Sequence, residues 1–175
     1  MKIAYTMSTG RGDTDELLLE LADRLTGYGW RLGGIVQINT ERDYDGPCDM
    51  DVKVLPEGPI LRISQNLGQN SRGCRLDASA LETSVGLAEA GLAKGIDCLI
   101  INKFGKQEAD GRGFRDVIAN ALADDIPVLV GLNHLNQDAF DTYTAGLAVQ
   151  LDGNISALES WFIEHLNGQC QRKRA

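Results

Sequence analysis

Within its first 38 residues the chain runs from an apolar segment, residues 2–7 (KIAYTM), through a leucine-rich helical pattern to a second apolar segment, residues 32–38 (LGGIVQI). A helical crossover between two strands brings them together in parallel, and parallel strands need cover on both faces. This one βαβ unit therefore directs the chain toward an α/β fold. Asp13 through Leu25 is the predicted helix, because Leu18, Leu21, Ala22 and Leu25 recur at helical spacing.

The same rhythm returns later. A helix is predicted over 78–94, with Leu81, Val85, Ala88 and Leu92 on one face, followed by a continuous apolar strand, DCLIIN (97–102). Phe114, Val117, Ile118, Ala121 and Leu122 form another stripe, IPVLVGL (126–132) another buried strand, and LAVQL (147–151) a last one. Ile155, Leu158, Trp161, Phe162 and Leu166 then mark a closing helix. The middle differs. MDVKVL (50–55) and PILRIS (59–64) alternate with period two and are joined by PEG, which predicts an inserted antiparallel hairpin. The expected architecture is a three-layer α/β domain with a mainly parallel, doubly wound sheet of P-loop type. Residues 1–168 are expected to form that single domain, with 169–175 a basic, disordered tail.

Composition narrows the function. A length of 175 residues suits one core, and a net charge of −8 argues against a nucleic-acid partner or an anionic membrane surface. No apolar stretch approaches the ~20 residues of a membrane span, and no signal-peptide pattern opens the chain, so a cytoplasmic location is expected. The four cysteines, Cys48, Cys74, Cys98 and Cys170, form no CxxC pair. Cys98 reads as a small buried hydrophobe, and Cys48 and Cys74 flank the central segment closely enough to be candidates for approach.

Two loops carry candidate chemistry. The first is STGRGDTDELL (8–18), between the first strand and first helix. A phosphate loop reads G-x-x-x-x-G-K-[ST], with backbone amides and lysine on the phosphates and the hydroxyl on magnesium. In that register stand Met7, Gly12, Asp13 and Thr14, with Thr9 and Gly10 inside the loop. Asp13 reverses the key charge. A carboxylate ~4 Å from a phosphate charge is disfavoured by about 4 kcal/mol at an effective dielectric near ~20, and Asp15 and Glu16 add to this. Two readings stand: Asp13 as a helix N-cap with Glu16 completing a capping box, or a modified ligand site in which Asp13 and Thr14 hold a metal. The cofactor this second reading suggests is Mg²⁺ with a nucleotide.

The second loop, LIINKFGKQEADGRGF (99–114), starts at the carboxyl end of a strand, where open α/β sheets bind ligands. It gathers Asn102, Lys103, Lys106, Gln107, Glu108, Asp110 and Arg112 among three glycines. Lys103 and Lys106 are candidates to supply the positive charge that Asp13 removes. Glu108 is the candidate base if the protein is catalytic. Arg72 and Arg75, with Asn70, Ser71 and Cys74 beside them and Arg62 on the hairpin, form a third candidate anion cluster, or pair with the chain's own carboxylates. His134 and His165 are isolated, and no Ser-His-Asp or Cys-His arrangement emerges.

The segments KIAYT, GRGDT, LADRL and LGGIVQ, then RISQNLGQNSRGCRLD and INKFGKQEADGRGFRD, resemble an uncharacterised bacterial family known only as a domain of unknown function. That resemblance implies a link to molybdate uptake. More distantly the chain is similar to the small nucleoside-triphosphatases first described from thermophiles. LGG at 32–34 and INKFGKQEADGRGF at 101–114 are the counterparts of their motifs, with Gly105, Lys106, Glu108 and Phe114 fitting. The departures fall at Met7, Asp13, Asn102 and Lys103, so the resemblance implies the P-loop fold without hydrolysis. Of the functional positions, only Gly12, Thr14 and Glu108 match. Three functions follow from these residues: a non-hydrolysing binding or regulatory protein for a nucleotide or small oxyanion, an atypical nucleoside triphosphatase, or a ligand-free interaction module. Exposed glycine loops are also compatible with a homo-oligomer.

Overall fold

The computed structural model describes residues 1–8, 10, 12–40, 48–65 and 75–172. Its elements in chain order are β1 (Ile3–Thr6), α1 (Asp13–Gly27), β2 (Leu32–Thr40), β3 (Asp49–Val54), β4 (Ile60–Arg62), α2 (Ala78–Ala93), β5 (Cys98–Asn102), α3 (Lys106–Ala109), α4 (Arg115–Ala123), β6 (Val128–Gly131), α5 (Gln137–Thr144), β7 (Val149–Leu151) and α6 (Ile155–Arg172). The strands form one sheet in the order β4-β3-β2-β5-β6-β1-β7. β2, β5, β6, β1 and β7 run parallel, while β3 and β4 are antiparallel, which is the inserted hairpin.

The apolar stripes sort onto two faces. α1 and α6 place Leu18, Leu21, Leu25, Leu158, Phe162 and Leu166 on one side, against Ala4, Val36, Ile100 and Leu129. α2, α4 and α5 place Leu81, Val85, Val117, Ile118 and Phe140 on the other, against Ile35, Leu99, Ile101 and Val130. Neighbouring residues of β5 thus point into different cores, which is why DCLIIN is apolar throughout. Cys98 is fully buried there, and that burial pushes its thiol far above the usual range, leaving it inert.

The connections after β1 and β6 leave toward opposite faces, so a topological switch point lies between these neighbouring strands. The expected ligand crevice sits at that edge of the sheet.

Several expectations change. Asp13 is not the N-cap of α1. Gly12 holds that place in a left-handed conformation (φ 90°), with no side-chain cap, and its carbonyl accepts from the amides of Asp15 (2.8 Å) and Glu16 (3.1 Å). The chain must turn sharply out of the loop, which glycine permits at positive φ. α2 does carry a side-chain cap, Asp77 accepting from Ser79 and Ala80 amides. Two helices, α3 and α5, were not apparent as stripes, since α3 has four residues and α5 buries only Phe140 and Thr144. α6 continues to Arg172, so the tail expected to fray from residue 169 is helical that far. Among the described residues no helix is long and apolar enough to cross a membrane.

Candidate functional site

α1 carries Asp15 in register with Leu18, Ala22 and Leu25, which puts a carboxylate on the buried stripe of an amphipathic helix. Asp15 is 7% exposed. Its Oδ1 accepts from Asn102 Nδ2 (2.9 Å), and its Oδ2 accepts from Gln37 Nε2 (3.2 Å) and Asn39 Nδ2 (2.5 Å). Three amides from the ends of β2 and β5 thus converge on one carboxylate. This satisfies a charge that would otherwise be costly to bury. Sequence reasoning missed Asp15, Gln37 and Asn39 as a unit. The available signal was an aspartate in step with the leucine stripe.

Asn102 is 1% exposed and ends β5 facing α1. Its amide donates to Asp15, while its Oδ1 has no hydrogen-bond partner among the described residues. That oxygen lies over Gly131 at the end of β6, beside Leu18 and the Thr14 methyl, where a β-carbon on residue 131 would meet all three.

Ser8 N–H donates to Thr14 Oγ1 (3.0 Å), so the hydroxyl expected on a metal tethers its own loop. The Asp13 carboxylate folds back over Gly10, and a β-carbon at residue 10 would collide with it. Asp13 therefore puts negative charge over the loop. An open hollow of about 550 Å³ beside it is lined by Met7, Ser8, Asp13, Glu16, Leu17, Glu20 and Gly153. Its three carboxylates oppose a phosphate.

The donor set does not fit a phosphate-bridging Mg²⁺. Asp13 lies over Gly10, the Asn102 amide donates to Asp15, and Thr14 Oγ1 accepts from Ser8 N–H. Among the described residues no three His, Cys, Asp or Glu side chains come together as metal ligands.

The loop after β5 is organised by Glu108, 2% exposed. Its Oε2 accepts from Gly105 N–H (2.8 Å) and its Oε1 from Phe114 N–H (3.1 Å), while Arg115 Nη1 donates to its backbone carbonyl (3.2 Å). Gly113 (φ 63°) leaves the room this needs, since a β-carbon there would strike the Glu108 carboxylate. Burial pushes the Glu108 carboxyl above its usual range, against the opposing pull of the two amides. Both carboxylate oxygens thus accept backbone amides that shape the loop. Phe104 N–H donates to the Gly131 carbonyl (3.0 Å) and ties the loop to β6.

Lys103 and Lys106 project from this pinned loop, exposed and without an ion-pair partner among the described residues. They do not close onto Asp13. They line a different space, a cavity of about 260 Å³ on the α2 face of the sheet, together with Asn102, Glu108, Asn133 and Asn136. The two loops that were expected to enclose one crevice thus face two spaces of opposite charge, joined through the Asp15–Asn102 bond.

The arginine cluster divides. Arg62 pairs with Asp49 (2.6 Å) and Asp51, and Arg75 donates to the Cys48 carbonyl (3.1 Å) and pairs with Asp49 (3.5 Å). Both serve the hairpin. Thr9, Asn70, Ser71, Arg72 and Cys74 lie outside the described residues, and Cys48 is a free thiol. Asp110 and Arg112 are exposed and 3.9 Å apart. His165 donates to the Trp161 carbonyl (2.7 Å) and stacks on the Trp161 ring, while His134 sits exposed in a short turn before α5.

The mainly parallel sheet, covered by helices on both faces, is an α/β fold shared with solved nucleoside-triphosphatase-type structures. THEP1 from the hyperthermophile Aquifex aeolicus superposes with a TM-score of 0.60 at 18% identity, covering 95% of this chain and 98% of that one. A human cancer-related nucleoside triphosphatase superposes with a TM-score of 0.57 at 17% identity, over 87% and 88% of the two chains. The chain belongs to the family described as protein of unknown function, DUF2478, whose model matches residues 3–161. It is also 36% identical over 162 residues to molybdenum import ATP-binding protein ModC 2 of Bradyrhizobium diazoefficiens. That match takes in 92% of this chain and 18% of the longer protein.

Proposed function

We propose that the protein is a non-hydrolysing binding or regulatory protein that holds a small anion, a nucleotide or an oxyanion, at Lys103 and Lys106 beyond the carboxyl end of β5. The observation that carries this reading is the inversion of charge between the two loops. Asp13 lies folded over Gly10 where a phosphate loop needs a cation, while two lysines without an ion-pair partner among the described residues stand on a loop fixed by Glu108. Glu108 supports binding over turnover, because its carboxylate accepts the Gly105 and Phe114 amides and so holds the loop that carries the lysines. The similarity to a molybdenum import ATP-binding protein supports molybdate or a nucleotide as the anion, and a regulatory place beside molybdate uptake.

The test is calorimetric titration of the protein with ATP, inorganic phosphate and molybdate, repeated on Lys103→Ala/Lys106→Ala. Saturable binding lost in the double variant, with phosphate release from ATP at background, is the expected result. Silence toward all three ligands, or metal-dependent turnover abolished by Glu108→Gln, would overturn it.

A further inference from the structure

The cavity under the two lysines is not built for a hydrated inorganic ion alone. Its inner wall is Ile35 from β2, Val52 from β3, Ile63 after β4 and Leu81 from α2, with Met50 and Leu76 nearer the rim. Gln37 also lines it, but its amide nitrogen is committed to Asp15 and Asn39. Asn102 and Glu108 line it too, the Asn102 amide donating to Asp15 and both Glu108 carboxylate oxygens accepting backbone amides, which leaves the six apolar side chains as its uncommitted wall. At about 260 Å³ it falls just below the ~300 Å³ lower end of pockets that enclose drug-sized ligands, which leaves room for a single or fused ring.

The mouth is the opposite in character. Lys103 and Lys106 stand there without ion-pair partners among the described residues, in a chain of net charge −8. Asn133 and Asn136 line the same cavity, where Asn136 Nδ2 donates to Asn133 Oδ1 (3.0 Å). An apolar wall below and cationic donors at the rim match an amphipathic anion.

We infer that the ligand of this site is an anion carried on an apolar ring, with the ring against Ile35, Val52, Ile63 and Leu81 and the anionic group at Lys103 and Lys106. The inference rests on the anion-binding reading above and adds the body of the ligand to it. A nucleotide base and an aryl carboxylate share this chemistry, and they differ in the length and charge of what joins ring to anion.

The experiment titrates the full chain with 2-naphthoate, its neutral isostere 2-naphthylmethanol, AMP, inorganic phosphate and molybdate. Methyl NMR of the isoleucine, leucine and valine residues is followed throughout. Naphthoate or AMP should bind about tenfold more tightly than phosphate and shift the Ile35, Val52 and Leu81 methyls. Lys103→Ala/Lys106→Ala should erase the advantage of naphthoate over its alcohol. Met50→Trp, which fills the rim, should block the ring-bearing ligands while leaving phosphate binding intact, and Leu76→Phe is the second filling variant should the first not fold. AMP above naphthoate identifies a nucleotide, and the reverse order an aryl acid. Lysine-dependent binding of phosphate or molybdate with no preference for naphthoate or AMP overturns this inference and leaves the anion site standing. Equal binding of naphthoate and its alcohol overturns it too, and no binding by any probe overturns both.

Discussion

The loop after β1 and the loop after β5 leave the same edge of the sheet with only β6 between them, yet their charges are arranged in opposite senses. In the first, carboxylates lie outward: Asp13 covers Gly10, and Glu16 and Glu20 continue the acidic line along α1. In the second, a carboxylate lies inward: Glu108 is buried and accepts Gly105 and Phe114 amides, while Lys103 and Lys106 are exposed. Where a carboxylate sits decides whether a loop repels an anion or presents cations to it. Between the loops, Asp15 and Asn102 meet across β5 and α1 as a shared hinge of hydrogen bonds.

The contrast can be broken most severely at Glu108. Glu108→Ala leaves two buried amides unpaired and should cost about 3 kcal/mol in denaturant unfolding, since hydrogen bonds to a charged group are each worth about 1.5–3 kcal/mol. Asn102→Asp should follow, at about 2 kcal/mol near neutral pH, because it puts a second carboxylate against Asp15 where the amide now sits 2.9 Å away. That loss should recover on acidification, as one carboxyl of the pair takes up a proton. Chemical denaturation across a pH series reads both the size and the recovery.

Glu108→Gln sharpens the same point through pH. A carboxyl raised by burial favours folding most below the ordinary carboxylate range, and that contribution is lost as pH rises through its elevated folded value. The wild-type stability profile should therefore fall across that window, and the variant's profile should lack that fall. Asp13→Asn tests the other loop. It should change stability by only about 0.5 kcal/mol, the scale of a first-turn charge on the helix dipole, and raise affinity for phosphate at that loop. Arg62→Ala is expected to have the smallest effect, at most about 1 kcal/mol for a half-exposed ion pair, with anion binding unchanged.

Much of the fold was legible because burial imposes a period. Leu18, Leu21, Ala22 and Leu25 had to line one face of α1, and the unbroken apolar run of β5 had to be covered twice. The hairpin was legible from alternation and its Pro-Gly turn. What escaped was short or weakly apolar, such as α3 and α5, and what lay in the caps. Asp13 looked like an N-cap by type and position, but the left-handed turn at Gly12 took that place. Glu108 was legible as a carboxylate in a glycine loop, but not that Gly113 gives its side chain the room to lie inside that loop.

By itself, then, the sequence determined a mainly parallel sheet covered on both faces, the inserted hairpin, and the charges each loop carries, Asp13 on one and Lys103 and Lys106 on the other. These follow from periodicity and residue type, which are local properties. Only the tertiary structure decided that Asp15 gathers Gln37, Asn39 and Asn102, that Arg62 and Arg75 serve the hairpin, and that Lys103 and Lys106 stand over an apolar cavity. A polar side chain's partner is set by which strand ends and helix turns the fold brings within about 3 Å, and that is not written in its own neighbourhood along the chain.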